Sequence, residues 1–351
     1  MKDEIILQLF LWLFLAVILI QIMLGGITRL TGSGLSITKW QIITGVLPPL
    51  NENQWTLAFD QYKASPQYKL INEGMAIPAF KNIYFWEWIH RNWGRLGMLL
   101  LFSGFVYFIL IRRMGNPWRK AFIGLLLMYA LQGVVGWYMV VSGLSEMPYV
   151  SHFRLAMHLL MALLLLGFVV WLLVRLLISK DQKTTPYVWK FWTFSTMLLT
   201  LLQIIYGAFM SGLRAALEFP TWPLMNGSYL PQNLWVKSYS FGYNLFSHKP
   251  MVQFIHRHLG YAVALAVFFL VIKIAKDKTP KPRILMQTLW FLPAMVILQV
   301  ILGIATLLLS ARGIPVWLGS LHQLGGLLLF NGLLFLFFLL RRAEKEKLEF
   351  L

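Results

Sequence analysis

The sequence predicts an all-α, polytopic membrane protein: eight transmembrane helices arranged as two pseudo-symmetric four-helix bundles. Of its 351 residues, 58% are apolar and 13% charged, with a mean hydropathy of +0.67, whereas soluble domains carry about a quarter charged residues. Apolar stretches of span length recur along the chain, each able to cross a hydrocarbon layer of about 30 Å. Helices satisfy every backbone polar group within such a layer without needing a closed barrel. Finally, the same short motifs return in the second half in the same order, the mark of a duplicated unit.

The expected spans are 5–24, 86–111, 118–141, 153–178, 188–210, 252–274, 284–309 and 316–340. Short loops between them are basic: Arg112, Arg113, Arg119 and Lys120; Arg175, Lys180, Lys183 and Lys190; Lys273, Lys276, Lys278, Lys281 and Arg283. The tail adds Arg341, Arg342, Lys345 and Lys347. Short basic loops stay cytoplasmic, so both termini are expected inside a bacterial inner membrane. The net charge of +18 is thereby accounted for, and no basic domain remains for nucleic acid. The N-terminal apolar stretch is too long for a signal peptide and lacks a small-residue cleavage site. Two long outer segments, 25–85 and 211–251, are rich in Gly, Pro, Trp and Asn and are expected to form ordered caps with short helices. A hinge from Lys180 to Pro186 separates an N-terminal half, 1–180, from a C-terminal half, 187–351.

Repetition locates the chemistry. Odd-numbered spans carry Gln then Gly four residues on: Gln21/Gly25, Gln132/Gly136, Gln203/Gly207 and Gln299/Gly303. Such pairs ordinarily serve helix packing, and their recurrence supports duplication. Even-numbered spans carry His90, His158, His256 and His322. An ionisable group inside a span marks function by default, and two imidazoles on facing helices can clamp a haem. The duplication pairs His90 with His158 and His256 with His322, in the membrane half nearest the long segments. Zinc is disfavoured because the chain has no cysteine and no carboxylate cluster.

Arg91 and Arg257 follow the first histidine of each pair and are candidate donors to haem propionates, with anchoring at the interface as the competing role. His258 points roughly 200° away from His256; His152 and His248 fall in or beside loops and are expected to be solvated. Glu87 lies one turn before His90, on its face, where the second half has Gln253. A lone carboxylate suits acid/base work or stabilisation of developing positive charge. The asymmetry divides labour, with chemistry in the first half and electron delivery in the second.

Several segments together resemble the haem A synthase family across nearly the whole chain. They are Gly25-Gly26-Ile27-Thr28-Arg29-Leu30-Thr31 with Ser33-Gly34-Leu35-Ser36, Glu87-Trp88-Ile89-His90-Arg91-Asn92-Trp93-Gly94-Arg95, Thr221-Trp222-Pro223-Leu224-Met225, Gln253-Phe254-Ile255-His256-Arg257, and His322-Gln323. The resemblance implies oxidation of the C8 methyl group of haem O to a formyl group by successive hydroxylations. It implies that His256 and His322 ligate a resident haem b cofactor. By the same resemblance His90 and His158 bracket the substrate haem, with Glu87 beside the methyl group. Implied partners are haem O and haem A, the haem O-forming enzyme, terminal oxidase assembly factors and an electron donor that the sequence does not identify; homo-oligomerisation is left open. The chain resembles the cysteine-free branch, so no thiol route for electrons operates. Arg214 and Pro220 depart from the pattern, which has an acidic or small polar residue and Asn there.

The competing reading is a di-haem b electron carrier between a quinone and an outer partner, which has no need of a single carboxylate beside one haem. A transporter ranks last, because it needs polar residues through both membrane halves.

Overall fold

A computed structural model describes residues 2–40, 44–112, 114–145, 147–177, 188–278 and 281–348. The expected hinge at Lys180–Pro186, the basic loop residues Arg113 and Lys183, and the side chains of Arg341, Arg342, Lys345 and Lys347 lie outside the described residues. Among the described residues, eight helices are long and apolar enough to cross a membrane. These are α1 (Lys2–Leu30), α4 (Ile77–Phe105), α5 (Asn116–Leu144), α6 (His152–Leu177), α7 (Val188–Leu213), α9 (Lys249–Lys276), α10 (Arg283–Leu309) and α11 (Val316–Leu348). Shorter helices α2 (Glu52–Lys63), α3 (Pro66–Ile71) and α8 (Phe241–Phe246) stand in the long segments, which are ordered caps as expected.

All eight expected spans are present, with two early boundaries displaced. Helix α1 runs through Gly25 and Gly26 to Leu30, although each helical glycine costs about 1 kcal/mol. Helix α4 starts at Ile77, with a proline in its first turn, rather than at 86. Its early turns are too polar to read as a span, yet Phe80 packs on Phe59 and Tyr62 of α2, so tertiary packing carries the helix out of the apolar layer. A π-helical turn, Val106–Ile111, ends it.

The chain divides into two compact units, Met1–Leu165 and Leu166–Leu351, with α6 contributing to both. In the first, α1 and α5 pack on α4. Its core away from the cap is aromatic: Phe10 meets Phe14, Phe108 and Phe122, with ring centroids 6.3, 5.4 and 5.8 Å away. Gly104 makes this approach possible, because a Cβ there would lie 2.2 Å from Phe10 Cζ.

In the second unit α7, α9, α10 and α11 close a ring of contacts, α7 on α9, α9 on α10, α10 on α11 and α11 on α7. Its core is aliphatic, with Val263, Val267, Leu270 and Ile274 of α9 buried against Leu285, Leu289, Leu292 and Val296 of α10 and Leu329, Leu333 and Leu336 of α11. Burying such side chains stabilises by about 1.5–3 kcal/mol each in water; within lipid the gain comes from close packing instead.

Candidate metal centres

In the second unit the rings of His256 and His322 face each other with centroids 6.4 Å apart and planes at 88°. Each ring rests on the glycine of a neighbouring helix. A Cβ on Gly207 would sit 3.2 Å from His256 Cε1, and one on Gly303 would sit 3.0 Å from His322 Cε1. Reciprocally, the glutamines of α7 and α10 lie over small residues that follow the histidines. Gln203 Nε2 is 3.3 Å from where a Gly260 Cβ would be, and Gln299 Nε2 is 1.9 Å from that of Gly325. Gln203 Nε2 approaches His256 Nε2 at 3.5 Å.

The first unit repeats the device. Cβ atoms on Gly25 and Gly136 would each lie 3.0 Å from Cε1 of His90 and His158, respectively. Gln21 Nε2 donates to the His90 carbonyl at 3.1 Å and stands 3.2 Å from His90 Nδ1. Gln132 Nε2 donates to the His158 carbonyl at 3.1 Å and lies 3.4 Å from its Nε2. The structure thus brings His256 and His322 together as the duplication predicts, and His90 and His158 lie in one unit.

These residues fit axial ligation of a haem iron. Two metal–imidazole bonds of about 2 Å each, plus the half-widths of two rings, span about 6 Å, which the His256–His322 separation matches. Nδ1 of His158, His256 and His322 is buried without a hydrogen-bond partner, as is Oε1 of Gln21, Gln132 and Gln203. Buried polar atoms are ordinarily paired, and a ligating histidine ordinarily passes its other ring N–H to an acceptor. In three of the four cradles the glutamine atom that faces the ring nitrogen is Nε2. Among the described residues no three His, Cys, Asp or Glu converge as a metal-binding group, and axial ligation needs only two.

The mouths of the units differ. Glu87 is 2% exposed; its Oε2 accepts from the Ser36 hydroxyl at 2.7 Å and the Ile37 amide at 2.8 Å, and its Oε1 pairs with Arg91 at 2.5 Å. Arg91 also donates to the carbonyls of Ile37 and Lys39. In the second unit Gln253 donates to Phe219 O at 2.9 Å, and Arg257 to the carbonyls of Phe219, Thr221, Pro223 and Leu224. Both arginines therefore draw a cap segment down onto the helix that bears the histidine. Arg257 Nε is buried without a partner.

The remaining histidines play other parts. His258 donates from Nδ1 to Phe254 O at 2.8 Å and accepts at Nε2 from the Tyr229 hydroxyl at 3.0 Å. His152 and His248 stand at the starts of α6 and α9, half-buried rather than solvated. The first cap is tied by Tyr62, whose hydroxyl donates to Gln67 Oε1 at 3.0 Å and accepts from Asn72 at 2.7 Å, while Gln67 reaches Gly32 O at 3.0 Å. Burial pushes the Tyr62 phenol above its ordinary pKa. Arg214 adopts a left-handed backbone, φ 53°, where Asn or Asp is the ordinary choice; this gives the departure at that position a physical meaning. The residues that sequence reasoning assigned to packing, the Gln–Gly pairs, are the cradles of the histidines. Their in-register recurrence was the available signal.

Residues 8–334 match the COX15-CtaA family, described as a cytochrome oxidase assembly protein. A heme A synthase of Azorhizobium caulinodans is 41% identical over 330 residues, covering 92% of this chain and 90% of that protein. One of Rickettsia africae is 37% identical over 342 residues, covering 95% and 98%. One of Brucella anthropi is 37% identical over 324 residues, covering 92% and 88%.

Proposed function

The chain belongs to the COX15-CtaA family of haem A synthases, and we propose from that premise how its two units share the oxidation of haem O to haem A. The first unit takes haem O between His90 and His158; the second keeps haem b between His256 and His322. The observation that carries this division is Glu87, the one buried carboxylate among the described residues, beside one histidine pair, with Gln253 beside the other.

Haem b, when bound, supplies one-electron transfer to the first unit. The side chains do the rest. The Gln–Gly cradles fix each imidazole in one orientation, so that the substrate macrocycle is presented in one pose. Glu87 is held by Ser36, Ile37 and Arg91 at the outer edge of the pocket. From there its charge stabilises positive charge developing at the C8 methyl carbon through the successive hydroxylations. Arg91 and Arg257 seat the caps that exclude water, and the unpartnered Nε of Arg257 offers a donor to a haem b propionate. Both termini lie on the cytoplasmic side, where the basic loops stay. A haem O-forming enzyme and terminal oxidase assembly factors are the partners this chemistry requires on either side.

Pigment extracted from protein made beside a haem O source tests the reading. Haem A or its hydroxylated precursor is the expected result; haem B alone would favour a di-haem electron carrier, which the similarity of the two cradles would also accommodate.

A further inference from the structure

Tyr129 is a buried phenol that the steps above do not use. It is 9% exposed, and its hydroxyl has no hydrogen-bond partner. An unsatisfied buried hydroxyl costs stability and calls for an explanation. The site around it is built rather than incidental. The hydroxyl fills the space over Gly97 of α4, where a Cβ would lie 2.1 Å from it and 3.3 Å from Val17 of α1, so any other residue at 97 would displace it. Phe14 holds the ring from the side, with centroids 5.9 Å apart.

Position along the bundle gives the site its meaning. Gly97 is two turns beyond His90 on α4, about 10 Å further from the cap, and Tyr129 is one turn from Gln132 on α5. The phenol therefore lies below the first histidine pair, on the side away from Glu87 and Arg91. At this position the second unit has no phenol. In register with the repeat, Gly97 becomes Val263 and Tyr129 becomes Val296, both buried in the aliphatic core. Buried polar groups of the second unit, Thr200 and Asn331 among them, stand on other helices, α7 and α11.

Resting on the reading of the first unit as the substrate pocket, we propose that the Tyr129 hydroxyl recognises the hydroxyl of the hydroxyethylfarnesyl group on haem O. That group is the substituent by which haem O differs from haem B. A haem whose propionates face the cap and its cations points the opposite edge of the macrocycle toward Tyr129. The C8 methyl, next to a propionate-bearing position, stays near Glu87. A phenol both donates and accepts, and so satisfies an alcohol in surroundings that offer it nothing else. Val263 and Val296 leave the second unit without a phenol at this position, which suits a resident haem b.

The test is a spectral titration of the purified full-length protein, with haem b in place, using haem O, haem B and a haem O analogue lacking the side-chain hydroxyl. Wild type is expected to bind haem O about three- to tenfold more tightly than the deoxy analogue, the usual worth of one hydrogen bond. Tyr129→Phe, which keeps the ring and its packing, is expected to bind the two alike while its affinity for haem B is unchanged. A variant that still prefers haem O by the wild-type factor overturns the proposal, as does a wild type that binds haem O and its deoxy analogue equally while converting haem O. Failure of the wild type to bind haem O at all would overturn the substrate reading as well. The ligand-side comparison needs no mutant, so it decides the matter even if Tyr129→Phe folds poorly.

Discussion

At the mouth of the first unit a carboxylate, Glu87, gathers Ser36, Ile37 and Arg91 around itself; at the same place in the second, Gln253 reaches one carbonyl, that of Phe219. Below the mouths the contrast reverses. The histidines sit in matching cradles, each ring against a glycine of the next helix. Further in the units part again, with rings and a phenol packed on glycines in the first and branched aliphatic side chains in the second. Sameness is confined to the layer of the four histidines. In the proposed reading, a duplicated frame holds two haems alike while the surroundings give one of them a reaction and the other a resting place.

The largest effect expected comes from removing a ligand. His322→Ala should abolish the resident haem b spectrum, while His158→Ala should leave that spectrum and stop conversion of haem O. An unchanged visible spectrum in His322→Ala would break the pairing itself. Next, Glu87→Gln should lower turnover by about 10²–10³, the usual loss for one preorganised electrostatic group, with haem content retained. Gln253→Glu should change turnover little, and equal effects in the two variants would erase the proposed asymmetry.

A smaller effect tests the shared layer. Gln203→Leu removes the amide that stands 3.5 Å from His256 Nε2, which should weaken haem b retention about 10- to 100-fold. A ring freed to turn should also shift the midpoint potential in a redox titration. Gln21→Leu should leave the haem b potential unmoved. Smallest of all, His258→Phe removes a hydrogen bond to Tyr229 at the rim. It should cost about 1 kcal/mol of stability or less in thermal melts monitored at the haem band, with full pigment retained.

The eight spans and four histidines were legible because lipid leaves strong marks: a run of apolar residues is costly to interrupt, and an imidazole inside one is costly to keep. Where helices outran the apolar layer the marks faded. The early turns of α4 are helical because Phe80 finds Phe59 and Tyr62, a contact that no local periodicity announces. The arginines illustrate a different limit. Arg91 and Arg257 read equally well as propionate donors or as interfacial anchors, and their engagement with Ile37 and Phe219 carbonyls depends on how the caps fold back. Gln-x-x-x-Gly was visible as a motif, yet its partner became visible only when helices were set side by side.

The hydrocarbon block of the second unit bears on how reducing equivalents reach the protein. From Val263 to Ile274, over about 17 Å of α9, the wall is mainly aliphatic, with Met197 and the rings of Phe330 and Phe335 packed into it. Electron tunnelling through such an insulator decays steeply with thickness. A reductant at the end of the helices that carries Lys276 and Arg283 would be poorly coupled to iron held at His256. The short routes run sideways from the lipid or down from the cap. A lipid-dissolved carrier or a docked outer protein is thus better placed to donate than any reductase beneath the basic loops.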